Sequence, residues 1–389
     1  MMWYSDDPAH EDIHESVSRI CACFDDDYWL RKDTEATFPH EFHRAIAEGG
    51  WLGIAMPPEQ GGAGLGIAAA AIMMRTIAES GAGIAGASSV HMNIFGLQPV
   101  VVFGTDDQKE RMLPPLIRGD EKACFAVTEP DAGLNTTQIK TRAERIEGCY
   151  RISGQKIWIS TAQVADRVMI LARTSPAGSA GEKTSGLSLF YTPLDRSRVE
   201  ISLIHKHGRH AVDSNILFFD NMEVPANDLI GQEGNGFKQI LHGLNPERIL
   251  VAAEAVGLGQ AALRRACQYA RDRVVFGRPI GQNQAIQHPL SRCWMNLEAA
   301  WLAVMRAAQL YDAGKECGAE ANTAKYLAAE AAFASCETAV LTHGGMGYAA
   351  QYHVERYLRE SWIPRLAPVS AQMIMNYIGE KVLSLPKSY

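Results

Sequence analysis

The stretch Asn245–Gly259, NPERILVAAEAVGLG, restricts the possible folds of this chain more than any other. Ile249, Leu250, Val251, Ala253, Val256 and Leu258 stand among small residues on nearly every face of a helix. A helix that is apolar most of the way round is packed by neighbours on several sides, so a layer of helices must surround it. Asn245 suits an N-cap, Pro246 the first helical position, and Glu247 then falls in the first turn. On this reading Glu247 and Arg248 enter a crowded interior at the helix mouth. Taken alone, Glu247 reads as an acid beside the positive end of a helix dipole. The sharper alternative is a catalytic base.

The neighbours that such a helix needs are visible on both sides of it. Helical periodicity covers 9–24, 39–48, 66–80, 87–103 and 106–118, broken by GGWLG, PPEQGGAG and SGAG. Thr105 before Asp106 and Asp107 reads as a capped helix start. The apolar run 63–90 carries Arg75 and Glu79 and is rich in Gly and Ala, which points to a core helix pair, with no membrane span. From about residue 122 the texture changes to short segments rich in β-branched and aromatic residues: 123–128, 139–146, 149–153, 156–160, 166–173, 186–191, 199–204 and 215–220. IEGCY and ISGQK suit hairpin connections, and 174–186 reads as a surface loop. After IGQEGNGF the helices return, at 235–244, 246–271, 283–314, 319–342 and 367–383.

The expected fold is α+β with three domains. They are an N-terminal helical domain (1–121), a small central β-barrel or sandwich (122–232) and a C-terminal four-helix bundle (233–389). With 389 residues the chain is long enough for that division. The formal charge of −7 gives no general attraction for nucleic acid or anionic membrane. The eight cysteines form no CxxC pair, and the acidic start MMWYSDDPAHED is neither a signal nor a transit peptide. Reduced thiols in a cytoplasmic protein are therefore expected.

Four motifs carry the functional reading. AVTEPDAGLNTTQIKT (126–141) is a strand running into a loop, and GQKIWIST (154–161) sets Trp158 and Ser160 on one face of a strand. RDRVVFGRPIGQNQAIQH (271–288) is a helix end, a turn and a new helix, and THGGMGY (342–348) is a glycine-broken helix end. Each has a bland explanation in isolation: a loop, a core tryptophan, a turn, a frayed helix. In this order they resemble the acyl-CoA dehydrogenase family of flavoproteins, over nearly the whole chain.

The resemblance implies FAD. By position, Val127 and Thr128 would contact the flavin ring, with Trp158 and Ser160 beside it. Arg273, Phe276 and Gln284 would reach a neighbouring subunit's FAD, and Gly344 and Gly345 would let backbone approach that same cofactor. A homotetramer or homodimer follows, as do an acyl-CoA substrate and an electron-transfer flavoprotein as electron acceptor. The class is an oxidoreductase of fatty acid and lipid metabolism, with no metal.

The chain also departs from the family pattern. TEPGAGSD has become TEPDAGLN, so Leu134 replaces a serine that meets the pyrophosphate, and Asn135, Thr136 or backbone amides must compensate. The usual catalytic glutamate position falls at Pro368. A minority type, resembling isovaleryl-CoA dehydrogenase, carries its base in GLxxER, and GLNPER supplies that base here as Glu247. Leu244 and Arg248 would lie on the substrate side, although Arg248 could instead form a structural salt bridge. Other expectations on the same fold are a dehydrogenase of carrier-protein-bound acyl groups and a flavin oxidase or monooxygenase. A non-catalytic flavin-binding protein is a further one, and Glu247 weighs against it.

Overall fold

The computed structural model describes residues 8–176 and 184–388. Seven helices come first: α1 Pro8–Cys21, α2 Asp26–Glu35, α3 His40–Glu48, α4 Gly66–Ile77, α5 Gly83–Phe95, α6 Gln98–Phe103 and α7 Asp106–Ile117. Of these, α2 escaped the sequence pattern because it is short and strongly polar, but Asp25 caps it by accepting from the Tyr28 amide. The start of α7 is the expected one, a full capping box between Thr105 and Gln108. The apolar run is α4 and α5 joined by a π-turn, Ala78–Ala82, where Gly81 holds φ 114. The stretch Gly66–Phe103 is long and apolar enough to cross a membrane by length and composition, and 89% of its most apolar window is buried inside the protein.

The strands β1 Ala123–Ala126, β2 Arg142–Ile146, β3 Cys149–Ser160, β4 Arg167–Arg173, β5 Leu187–Pro193, β6 Val199–Leu203, β7 Ser214–Pro225 and β8 Leu229–Ile230 form one sheet. Its order is β6-β7-β3-β2-β4-β5-β8, with β1 parallel to β4. IEGCY makes the expected hairpin between β2 and β3. ISGQK does not: β3 runs straight through it, and Gly154 marks a bulge against β7. A glycine in a strand supports either outcome, and long-range pairing with β7 decided it. Alternation along β4 separates two cores. Val168, Ile170 and Ala172 pack inside the sheet, whereas Met169 and Leu171 face Val100, Met112 and Leu113 of α6 and α7. Part of the expected 174–186 loop, 177–183, lies outside the described residues.

Then follow α8 Gly236–Asp272, a ribbon of β9 Val274–Val275 with β10 Arg278–Pro279, α9 Gln284–Asp312 and α10 Gly318–His343. Three short helices close the chain, α11 Val354–Glu360, α12 Ile363–Leu366 and α13 Ala371–Tyr377. The helix expected from Asn245 does not start there. The two helices read at 235–244 and 246–271 are one, and Pro246 lies inside it. Proline in a helix interior costs ~3 kcal/mol, here by leaving the His242 carbonyl without its donor. Packing on several sides offsets this, because α8 touches α4, α5, α9 and α10. The contact is close at Gly257, where an added Cβ would stand 2.3 Å from the Arg75 carbonyl oxygen. One core thus unites the helices before the sheet with those after it.

Candidate functional site

Continuity of α8 removes one explanation of Glu247. The residue lies about three turns inside the helix, beyond reach of the N-terminal dipole. Its carboxyl is half-buried, and burial pushes it up to about 7. His91, Arg248 and Lys325 oppose that shift, while the like charge of Glu254 adds to it. Leu244 lies one turn earlier and is half-buried. Arg248 donates to the Asn245 side chain at 3.0 Å and makes no salt bridge among the described residues. Its Nε is buried without a partner.

Lys325 of α10 reaches the other side of this group. Its Nζ donates to the Val369 carbonyl at 2.6 Å, and burial lowers its ammonium to about 8. The turn carrying Pro368 is therefore tied to the surroundings of Glu247. Pro368 has no N–H to offer. The next amide, Val369 N–H, has no acceptor among the described residues.

A second group of motif residues lies on and beside β3. Trp158 is no core residue: it is the extra residue of a bulge, with φ 62 and 57% of its surface exposed. The bulge turns its ring outward while Ile159 next to it stays buried. Ser160 accepts from Arg209 at 2.8 Å. The backbone at Val127 and Thr128 is fastened to the same strand. Lys156 Nζ donates to the Val127 carbonyl at 2.9 Å, and Ile157 N–H to the Thr128 carbonyl at 2.9 Å. Lys156 is fully buried and paired with Glu129 at 3.0 Å. Burial pulls the Lys156 ammonium down to about 8. Burial would raise the Glu129 carboxyl, but Lys156 and the amides of Lys140 and Thr141 hold it below its ordinary value.

The remaining residues from the sequence motifs lie apart from this group. Arg273 ends α8, roughly 39 Å from Glu247 at 1.5 Å per helical residue. Phe276 sits at the tip of the β9–β10 ribbon, wholly exposed with φ 52, and Gln284 is exposed beside it. Gly344 (φ 61) and Gly345 face open space, since a Cβ at either would meet nothing within 4 Å. Leu134 is 59% exposed, and the neighbouring Asn135 accepts from Thr137 at 2.6 Å. An outward tryptophan, an anchored strand end and bare backbone are what a flat ring system with a polar tail requires, so these residues fit a dinucleotide flavin.

Sequence reasoning missed His91, Arg209, Glu254 and Lys325. Only Glu254 left a signal, as the sole charge in the apolar run 249–263.

Comparison with known proteins defines the class first: a helical–sheet–helical oxidoreductase fold. Models of the acyl-CoA dehydrogenase N-terminal, middle and C-terminal domains match residues 7–120, 124–222 and 234–383. The chain belongs to the acyl-CoA dehydrogenase family, whose cofactor is FAD. Acyl-CoA dehydrogenase FadE12 of Mycobacterium tuberculosis is 36% identical over 386 residues, covering 97% of this chain and 96% of the relative. The structure of glutaryl-coenzyme A dehydrogenase with glutaryl-CoA superposes with a TM-score of 0.94 at 30% identity, covering 100% and 98% of the two chains. Butyryl-CoA dehydrogenase from Megasphaera elsdenii gives 0.92 at 26%, covering 98% and 100%.

Proposed function

We propose that this protein dehydrogenates an acyl-CoA thioester between its α and β carbons, with Glu247 as the base that takes the α-proton. The observation that carries this is the Glu247 carboxyl, half-buried among three cations and lifted to about 7. A base with that value is divided between its two forms near neutral pH, where general-base catalysis is most effective. His91, Arg248 and Lys325 favour its ionised form and so limit that rise. Burial favours the neutral acid that forms on proton uptake. Pro368 stands where the family's more common glutamate would be, so Glu247 has no rival there.

Val127, Thr128, Trp158 and Ser160 would hold the flavin ring of FAD. When bound, FAD supplies the acceptor for the β-hydride. Trp158 would lie against that ring, and the Arg209–Ser160 hydrogen bond fixes the strand end that would face it. Arg273 lies at the far end of α8 from Glu247, Phe276 and Gln284 follow it on the β9–β10 ribbon and the start of α9, and Gly344 and Gly345 come just past α10. Their distance from Glu247 supports a role at the FAD of a second copy, and with it a homodimer or homotetramer. An electron-transfer flavoprotein would reoxidise the enzyme. Rapid reduction of that acceptor with slow oxygen consumption supports a dehydrogenase, and the reverse an oxidase.

Two measurements address the outlying parts of this reading. Arg273→Ala should release FAD and loosen the oligomer together, seen as lost absorbance and a smaller species in sedimentation. A variant that keeps both would remove Arg273 from the cofactor site. Pro368→Ala should leave thioester turnover within about threefold, because the free Val369 N–H is the available donor for the thioester oxygen. A gain of about a hundredfold or more would mean that Pro368 itself withholds the donor.

A further inference from the structure

Glu254 is a buried carboxylate in an otherwise apolar helix run, and the proton abstraction uses no contact of it beyond its like charge on Glu247. Its side chain is 4% exposed and meets His91 Nδ1 of α5 at 2.5 Å. A buried ion pair is weak evidence of stabilisation, since apolar residues of similar volume serve as well or better. Its position supplies another reason. Seven residues separate Glu254 from Glu247, two helical turns, so both project from one face of α8 about 10 Å apart. Glu247 accordingly senses the charges of both His91 and Glu254.

Arg209 approaches from the segment between β6 and β7. It donates to Ser160 at 2.8 Å, to Ser214 at 3.1 Å and to Ser88 of α5 at 3.2 Å. It links β3 to α5 and lies within the electrostatic reach of Glu254 and His91. Other charges near Arg209 are Asp213, Glu360 and Lys206. Asp213 accepts from the Gln163 amide and from Asn215, Glu360 is paired with Arg356, and Lys206 donates to the Val212 carbonyl. What stays unused is donor capacity on cations. His91 Nε2 has no partner among the described residues, with 14% of the side chain exposed. Arg209 Nε is buried without an acceptor.

We infer that His91, Glu254 and Arg209 form a carboxylate-accepting subsite at the far end of the acyl site, so that the preferred substrate is a coenzyme A thioester whose acyl chain ends in a second carboxylate. Glu254 orients the His91 ring and keeps it cationic, while His91 Nε2–H and the Arg209 guanidinium present the free donors. An alkyl tail at the same place would leave those donors unpaired and strip the water from the exposed edge of His91. That is the kind of loss by which a polar site rejects an apolar analogue. This inference rests on the dehydrogenase reading above.

The test uses the FAD-loaded full-length protein under anaerobic conditions. Flavin bleaching is followed with straight-chain acyl-CoA thioesters and with ω-carboxyacyl-CoA thioesters of matching carbon number. The carboxylated series should show KM values lower by ~10-fold or more, with smaller differences in kcat. The double substitution His91→Leu with Glu254→Leu should reverse that order, because an apolar pair replaces the charged one. The single substitution Arg209→Gln, which keeps hydrogen bonding, should raise KM for the carboxylated series more than for the straight-chain series, with flavin content measured alongside because Arg209 also holds Ser160. A parent enzyme that takes alkyl thioesters as well or better would overturn the subsite and leave the dehydrogenase reading standing. So would a double variant that keeps the carboxylate preference. If no thioester of either series bleaches the flavin, the dehydrogenase reading and the subsite fall together.

Discussion

Replacing Glu247 by glutamine should lower thioester-dependent flavin reduction by roughly 10²–10⁴-fold, the range expected for loss of a general base. The side chain keeps its shape, so FAD content and secondary structure should stay at the parent's level. The parent's kcat/KM should rise through a limb near the Glu247 value of about 7, and the variant should lack that limb. Stability should move the other way. A carboxyl raised above its ordinary 4.5 binds its proton more tightly in the folded chain than in the unfolded one. The folded state therefore loses stability as pH rises from 4.5 to about 7, and stays lower above that. Glutamine does not titrate, so Glu247→Gln should melt higher than the parent at pH above 7, with the gap closing in acid. Flavin reduction at the parent's rate would show that the base lies elsewhere.

Breaking the Lys156–Glu129 pair should produce the largest structural effect. Lys156 is wholly enclosed and Glu129 nearly so, and removing one partner of such a pair typically costs ~3–5 kcal/mol. Glu129→Ala also frees the amides of Lys140 and Thr141 and the loop that begins at Val127. The expected result is a lower urea midpoint together with weaker FAD retention. Replacing both partners by apolar residues should recover most of the stability. The acid side belongs to Glu129. Its carboxyl lies below the ordinary value, so its contribution is complete at neutral pH and is lost as pH falls through the lowered value. Lys156 acts on the alkaline side. Its ammonium at about 8 lies below the ordinary 10.5, so its penalty is complete below 8 and relaxes as pH rises from 8 to 10.5. An unchanged midpoint in Glu129→Ala would mean that Lys156 sheds its proton without cost.

What the sequence determined by itself was local or cumulative in origin. The order of helices, sheet and helices follows from periodicities of 3.6 and 2, which each segment carries within itself. The Thr105 cap and the IEGCY turn need only neighbouring residues. That α8 is buried followed from composition alone, because an all-round apolar helix has no other stable place. Glu247 stood out through its motif, without any knowledge of what surrounds it.

The tertiary structure decided whatever depends on two distant segments meeting. Pro246 and Asn245 are sound start signals, and packing against the surrounding helices overrode them. Trp158 taken alone reads as a core residue and by the resemblance as a flavin neighbour, and the pairing of β3 with β7 placed a bulge there and turned the ring out. Glu254 is a charge in an apolar run until α5 brings His91 to it. The same holds for Lys325, whose partner Val369 lies 44 positions away. A buried charge is tolerable only beside its partner, and partners far apart in the chain are chosen by packing.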